Sequence, residues 1–101
     1  MSIKSEKIFM TKRETYLNWI EEKYDVRLVD LETEFLANKV KGNSVLTDEE
    51  ADLLGKKVGL FGRPYTPLSL IAEDMKVSKA KVSLMLKAIY LKISVKRQMR
   101  K

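Results

Sequence analysis

Apolar residues recur at spacings of three and four along most of this chain, which is the pattern of α-helices that bury one face. Strand-like alternation hardly occurs. The pattern predicts about five helices: a first near 11–24, a second over about 30–41, a third from 47 to a loop at 59–65, a short fourth from 67 to about 75, and a long fifth from 78 onwards. We therefore expect an all-α fold with a long last helix.

Residues suited to helix ends support these boundaries. Thr11 and Glu14 have the spacing of a capping box, and Thr47 precedes three acids that favour the positive end of a helix. The other predicted caps are Gly42 at the end of the second helix, Thr66 with Pro67 at the start of the fourth, and Ser78 at the start of the fifth. Residues 91–96 alternate as a strand would. No turn follows them, so we predict that the fifth helix continues.

The length and composition limit the classes of protein that this chain can be. Its 101 residues suffice for a single domain, which we divide into an N-terminal helical pair (1–45) and a helix-turn-helix unit with a basic tail (46–101). Cysteine and histidine are absent, which excludes disulfides and the usual zinc ligands and nucleophile–base pairs. We therefore predict no enzyme activity, no cofactor and no metal. No apolar run is long enough to span a membrane, and MSIKSEKIF lacks the pattern of a signal peptide, so we expect a cytoplasmic protein.

Positive charge is concentrated at one end of the chain. The net charge is +6, yet residues 76–101 hold nine Lys and Arg without any acid, while the first 75 residues carry a net −3. Such a basic block suggests a polyanion as partner. The alternative is a solvated basic helix end that complements the helix dipole.

Residues 71–85 follow the pattern of a helix-turn-helix. This motif needs inward-facing apolar residues, a small residue where the helices cross, an apolar residue in the turn and a cap on the second helix. The matching residues are Ile71, Ala72, Met75, Val77, Ser78, Val82 and Met85. Lys76 stands where glycine is often favoured. A short helical hairpin of another kind is the alternative.

A longer segment, residues 46–93, resembles region 4 of bacterial sigma factors and shares much of its pattern with LuxR-type domains. The matching residues are Leu46, Thr47, Glu50, Leu54, Gly59, Thr66, Ile71, Ala72, Val77, Ser78 and Val82. The resemblance implies a helical unit that binds double-stranded DNA and in some members docks on RNA polymerase. It places the DNA contacts at the start of the last helix.

The predicted DNA-binding residues therefore come from the basic end of the chain. Lysines suit phosphate or guanine, Ser83 can reach a base or a phosphate, and Ala80 and Leu84 can touch thymine methyl groups. The full set is Ser78, Lys79, Ala80, Lys81, Ser83, Leu84 and Lys87, with Lys92, Lys96 and Arg97 farther along for phosphates.

The last helix carries two apolar stripes when its residues are placed 100° apart. Val82, Met85, Leu86, Ile89 and Ile93 form the predicted core stripe. The second stripe, which we call the seam, consists of Leu84, Ala88, Leu91 and Val95, with heptad-like spacing. It predicts a homodimer or a partner protein, unless the N-terminal helices cover it. Leu84 departs from sigma-like helices, which usually carry a polar residue there.

Tyr16, Trp19 and Tyr24 recur at helical spacing on the first helix, where we interpret them as core residues, with stacking on bases as the alternative.

Together these patterns predict a small non-enzymatic DNA-binding protein. Its expected role is to regulate transcription for a phage, plasmid or other mobile element. The alternative is a module that binds RNA polymerase or another host protein.

Overall fold

The computed structural model describes residues 11–99, which form five α-helices and no strand. The helices are α1 (Lys12–Tyr24), α2 (Leu28–Lys39), α3 (Asp48–Val58), α4 (Leu68–Met75) and α5 (Lys79–Met99). The all-α prediction with a long last helix is confirmed, and residues 91–96 are helical as predicted. The segment MSIKSEKIF and the basic residues Arg100 and Lys101 lie outside the described residues.

Local hydrogen bonds explain where three of the helices begin. The Glu14 N–H donates to the Thr11 hydroxyl at 3.1 Å, and the Thr11 N–H donates to the Glu14 carboxylate at 2.9 Å. Thr47 and Glu50 form the same reciprocal pair at the start of α3. Ser78 accepts from the Lys81 N–H at 3.1 Å at the start of α5. These three caps confirm the predicted ones.

The predictions were wrong at three helix boundaries: the start of α2, the end of α2 and the start of α4. Helix α2 starts at Leu28, because the Asp30 carboxylate accepts from the Arg27 N–H at 2.9 Å and so belongs to the first turn. At the end of α2 it is Lys41, not Gly42, that takes the left-handed conformation, with φ 58°. Thr66 caps nothing, because the extended Pro67 is the residue that precedes α4.

Helix α5 lies at the centre of the fold and contacts each of the other four helices. Its predicted core stripe is confirmed: Val82, Leu86, Ile89 and Ile93 are buried, and Met85 is half-buried at the edge of the core. Burying an aliphatic side chain of this size stabilises a fold by about 1.5–3 kcal/mol relative to exposure. The stripe therefore fixes which face of α5 points inward and which remains available.

The segment 71–82 forms a helix, a tight turn and a second helix, as the pattern predicted. Ile71 and Ala72 are buried on α4, and the Val77 N–H donates to the Ala72 carbonyl at 3.0 Å to close the turn. Lys76 takes the left-handed conformation with φ 60°, at the position where glycine is favoured. A non-glycine residue pays about 1–2 kcal/mol for that conformation.

Candidate functional site

The first half of α5 exposes most of the predicted DNA-binding residues, and we call this surface the front. Lys79, Ala80, Lys81, Ser83, Leu84 and Lys87 are all exposed, and Lys76 is exposed in the turn before them. No acid stands in the first turn of α5. Within residues 11–99, no carboxylate forms an ion pair with these four lysines. Ser78 is exposed too, although its hydroxyl already caps the helix.

The last turns of α5, which we call the rear, hold the other three predicted phosphate contacts in ion pairs. Lys92 Nζ lies 2.8 Å from the Glu50 carboxylate. Lys96 Nζ lies 2.9 Å from the carboxylate of Glu34, a residue that is only 2% exposed. At 1.5 Å per residue, Lys92 lies about 20 Å along the helix axis from Lys79 and about 8 Å from Lys87. These cations are therefore already used to attach α5 to the other helices.

Arg97 makes the third attachment at the rear. Its guanidinium lies 2.7 Å from the Asp25 carboxylate and 3.4 Å from that of Asp30. It thus joins the end of α5 to the junction between α1 and α2. The sequence shows the positive charge of Lys92, Lys96 and Arg97, but their acidic partners come from distant parts of the chain.

The seam on α5 is exposed. Leu84 is 66% exposed, and Leu91, Val95 and Ala88 are exposed as well. Helices α1 and α2 therefore leave the seam uncovered, which excludes the alternative that the N-terminal helices bury it. Leu84 belongs both to the seam and to the front, as the sequence indicated.

A cleft of about 420 Å³ lies between α1 and the front, and aromatic rings make up much of its wall. Tyr16 stacks on Trp19 with ring centroids 5.7 Å apart, and Trp19 meets Tyr24 edge-on at 5.9 Å. The Tyr16 and Tyr90 hydroxyls are 2.6 Å apart. The prediction that the α1 aromatics are core residues holds for Tyr24, while Tyr16 is half-buried and Trp19 is 44% exposed.

Burial raises the pKa of both tyrosines in this pair. It raises the pKa of Tyr16 to about 12, although the hydrogen bond between Tyr16 and Tyr90 opposes the shift. Burial also raises the pKa of Tyr90, and the neighbouring Tyr16 adds to that shift. Both hydroxyls are therefore neutral at physiological pH and place no negative charge in the cleft.

Lysines supply the charge of the cleft. Lys12, Lys23, Lys57 and Lys87 line it, and no acid does. Lys57 is only 3% exposed; its ammonium donates to the Tyr65 hydroxyl at 2.9 Å and lies 4.1 Å from the ring centroids of both Tyr16 and Tyr65. Sequence reasoning missed Lys57 and Tyr65, because nothing local indicates that α3 and the loop after it meet α1.

Comparison with known protein families, with curated proteins and with solved structures gives no match to this chain. The resemblance to sigma region 4 and to LuxR-type domains therefore stays a prediction from residues 46–93. None of the helices in the described part of the chain is long and apolar enough to cross a membrane.

Proposed function

We propose that this chain is a non-enzymatic protein that binds double-stranded DNA through the front of α5 and regulates transcription. The observation that carries the proposal is the contrast in ion pairing along this helix. The exposed front lysines have no acidic partner among residues 11–99, whereas the rear cations are paired. A surface that keeps its cations free of carboxylates is suited to phosphates.

The mechanism follows from the order of residues at the front. The first N–H groups of a helix and its dipole favour a phosphate, and Lys79 and Lys81 stand in the first turn of α5. Lys87 lies two turns farther along and is exposed as well. Between these cations, Ala80, Ser83 and Leu84 present small and apolar groups that can reach base edges in the major groove.

Lys92, Lys96 and Arg97 have no part in this mechanism, because releasing each from its ion pair would cost stability. The resemblance to sigma-like and LuxR-type domains supports a role at promoters. A small regulator carried by a phage, plasmid or other mobile element, acting in the cytoplasm, would suit this size and charge. A single short module contacts few base pairs, so we expect a homodimer or a second protein on the DNA.

The salt dependence of binding tests this proposal. Fluorescence anisotropy with a labelled duplex should show affinity that falls steeply as salt rises. The double variant Lys79→Ala with Lys87→Ala should weaken binding and lower the slope of log K against log salt by about two, one for each lost phosphate contact.

Lys92→Ala is the matched control, since it removes the same charge from the same helix at the rear. It should leave the slope unchanged, and circular dichroism would confirm that each variant is folded. The proposal would be overturned if front and rear variants lost the same affinity for DNA, or if the chain bound no DNA at low salt. A pool of random duplexes, enriched for bound sequences, would then define the site.

The exposed seam favours a second candidate function, contact with RNA polymerase or another protein. Sedimentation of the chain with and without Leu84→Glu and Leu91→Glu distinguishes the possibilities. A dimer that becomes a folded monomer supports self-association. A chain that is monomeric throughout, binds purified RNA polymerase and loses that binding on substitution supports the second candidate. A monomer that binds no polymerase contradicts both self-association and contact with polymerase through the seam.

A further inference from the structure

The cleft beside the front contains a buried positive charge that no carboxylate neutralises. Lys57 is as buried as the core, yet within residues 11–99 its ammonium contacts only the Tyr65 hydroxyl and the faces of two tyrosine rings. Ring faces attract a cation when water is excluded, but this attraction offsets only part of the cost of removing an ammonium from water. By contrast, Lys96 at the rear lies against a carboxylate.

The remaining wall of the cleft adds to this positive charge. Lys12, Lys23 and Lys87 join Lys57 in lining it, and the lining contains no acid. Since like charges gathered around a low-dielectric cavity reinforce one another's potential, the cleft attracts anions more strongly than a flat lysine-rich surface does. The neutral hydroxyls of Tyr16 and Tyr90 do not oppose an anion there.

The aromatic residues indicate what else the ligand must contain. Trp19 lines the cleft and stacks on Tyr16, and Tyr24 and Tyr65 complete a wall of rings. A planar ring gains stacking and apolar burial against such a wall. A volume of about 420 Å³ falls within the range of sites for small molecules, which are mostly apolar with a few polar groups that set orientation.

We infer that this cleft binds a small aromatic anion, a planar ring that carries a phosphate or a carboxylate, with its charge near Lys57 and its ring against Trp19. A mononucleotide and an aromatic carboxylate share this chemistry. The inference does not require that the chain bind DNA. If it does, Ser83, Leu84 and Lys87 would serve both surfaces, so that ligand and DNA should compete.

The single tryptophan of the chain offers a direct measurement, because Trp19 lines the cleft. Its fluorescence would be titrated with adenosine monophosphate and with benzoate, the two sources of the ligand chemistry. Adenosine, which has the ring without the charge, and inorganic phosphate, which has the charge without the ring, are the matched controls. We expect a saturable change with at least one of the first two, and at least about tenfold weaker binding of its uncharged or ringless counterpart.

Variants locate the site. Lys57→Met keeps the length of the side chain and should lower the affinity about tenfold, the effect of losing one charge-assisted contact. If Lys57→Met does not fold, Lys23→Ala at the rim should lower the affinity several-fold without disturbing the core. Lys41→Ala, an exposed lysine outside both the cleft and the front, should leave the affinity for the ligand unchanged. Amide chemical shifts in the NMR spectrum should move around Trp19 and Tyr65.

Several results would overturn the inference: no saturable response to either ligand, equal responses to inorganic phosphate, or equal losses of ligand affinity in Lys23→Ala and Lys41→Ala. The two proposals can fail separately. If the chain binds the ligand but no DNA, the proposed function is wrong and the inference about the cleft stands. If it binds DNA but not the ligand, only the inference about the cleft is wrong.

Discussion

The front and the rear of α5 carry almost the same charge and use it in different ways. At the front, Lys79, Lys81 and Lys87 are exposed, and none is ion-paired within residues 11–99. At the rear, Lys92, Lys96 and Arg97 lie against acids of α3, α2 and the α1–α2 junction. A basic block in a sequence is therefore not by itself a surface for polyanions, because part of it can serve to hold the fold together.

Burial explains the pair between Lys96 and Glu34 at the rear. The rear packs where α2 crosses α5, and there the carboxylate of Glu34 is almost fully buried and needs a cation. Near the front, the two acids at the end of α4, Glu73 and Asp74, are exposed. The Asp74 carboxylate lies 3.7 Å from the Lys56 ammonium and not from a front lysine. The comparison predicts that rear substitutions change stability and front substitutions change binding.

Lys96→Met should give the largest effect on stability. It removes the cation 2.9 Å from the buried Glu34 carboxylate, which keeps a hydrogen bond from the Val45 N–H. Breaking a buried pair by removing one partner costs about 3–5 kcal/mol, and since Lys96 is partly exposed we expect about 2–3 kcal/mol.

Urea unfolding of Lys96→Met and of Lys79→Met measures this difference at the two ends. Methionine retains the apolar stem of lysine, so that mainly the charge is tested. The front variant should stay within about 0.5 kcal/mol of the unsubstituted chain. If both variants lost the same free energy of unfolding, front and rear would not differ and the comparison would be wrong.

The sequence predicts the features of this fold that depend on neighbouring residues. The capping boxes at Thr11 and Thr47 and the stripe through Val82 each involve residues within one or two turns, so spacing is enough to find them. The pairing of Lys96 with Glu34 and the meeting of Lys57 with Tyr16 join distant segments. No periodicity encodes such a contact, and the three rear cations were therefore indistinguishable from the front ones in the sequence.

The pair between Lys92 and Glu50 should give a smaller and pH-dependent effect. Burial raises the pKa of the Glu50 carboxyl, but the hydrogen bonds from Lys92 and Thr47 outweigh it and hold the pKa below its usual 4.5. Because the folded pKa lies below the unfolded one, Glu50 stabilises the fold above the unfolded pKa. That contribution is lost as the pH falls through the folded value.

Lys92→Met should therefore destabilise the chain by about 1 kcal/mol at neutral pH, as expected for a half-exposed pair. The loss should shrink towards zero in acid, where Glu50 is protonated in both chains. Urea titrations over a pH series measure it, with Lys81→Met as the control from the front. A loss that did not change with pH would show that Lys92 acts through packing instead of through its charge.

Lys76→Gly should give the smallest change in stability and one of opposite sign. Glycine relieves the left-handed strain at φ 60° but loses more entropy on folding, so we expect a net gain of about 0.5 kcal/mol. Lys76→Ala is the matched variant, since it removes the same charge and keeps the strain. If the turn belongs to a DNA-binding front, both variants should weaken DNA binding equally while differing in their free energy of unfolding. If Lys76→Ala were as stable as Lys76→Gly, the turn would hold no backbone strain. If neither variant changed the affinity for DNA, the front would be limited to α5 itself.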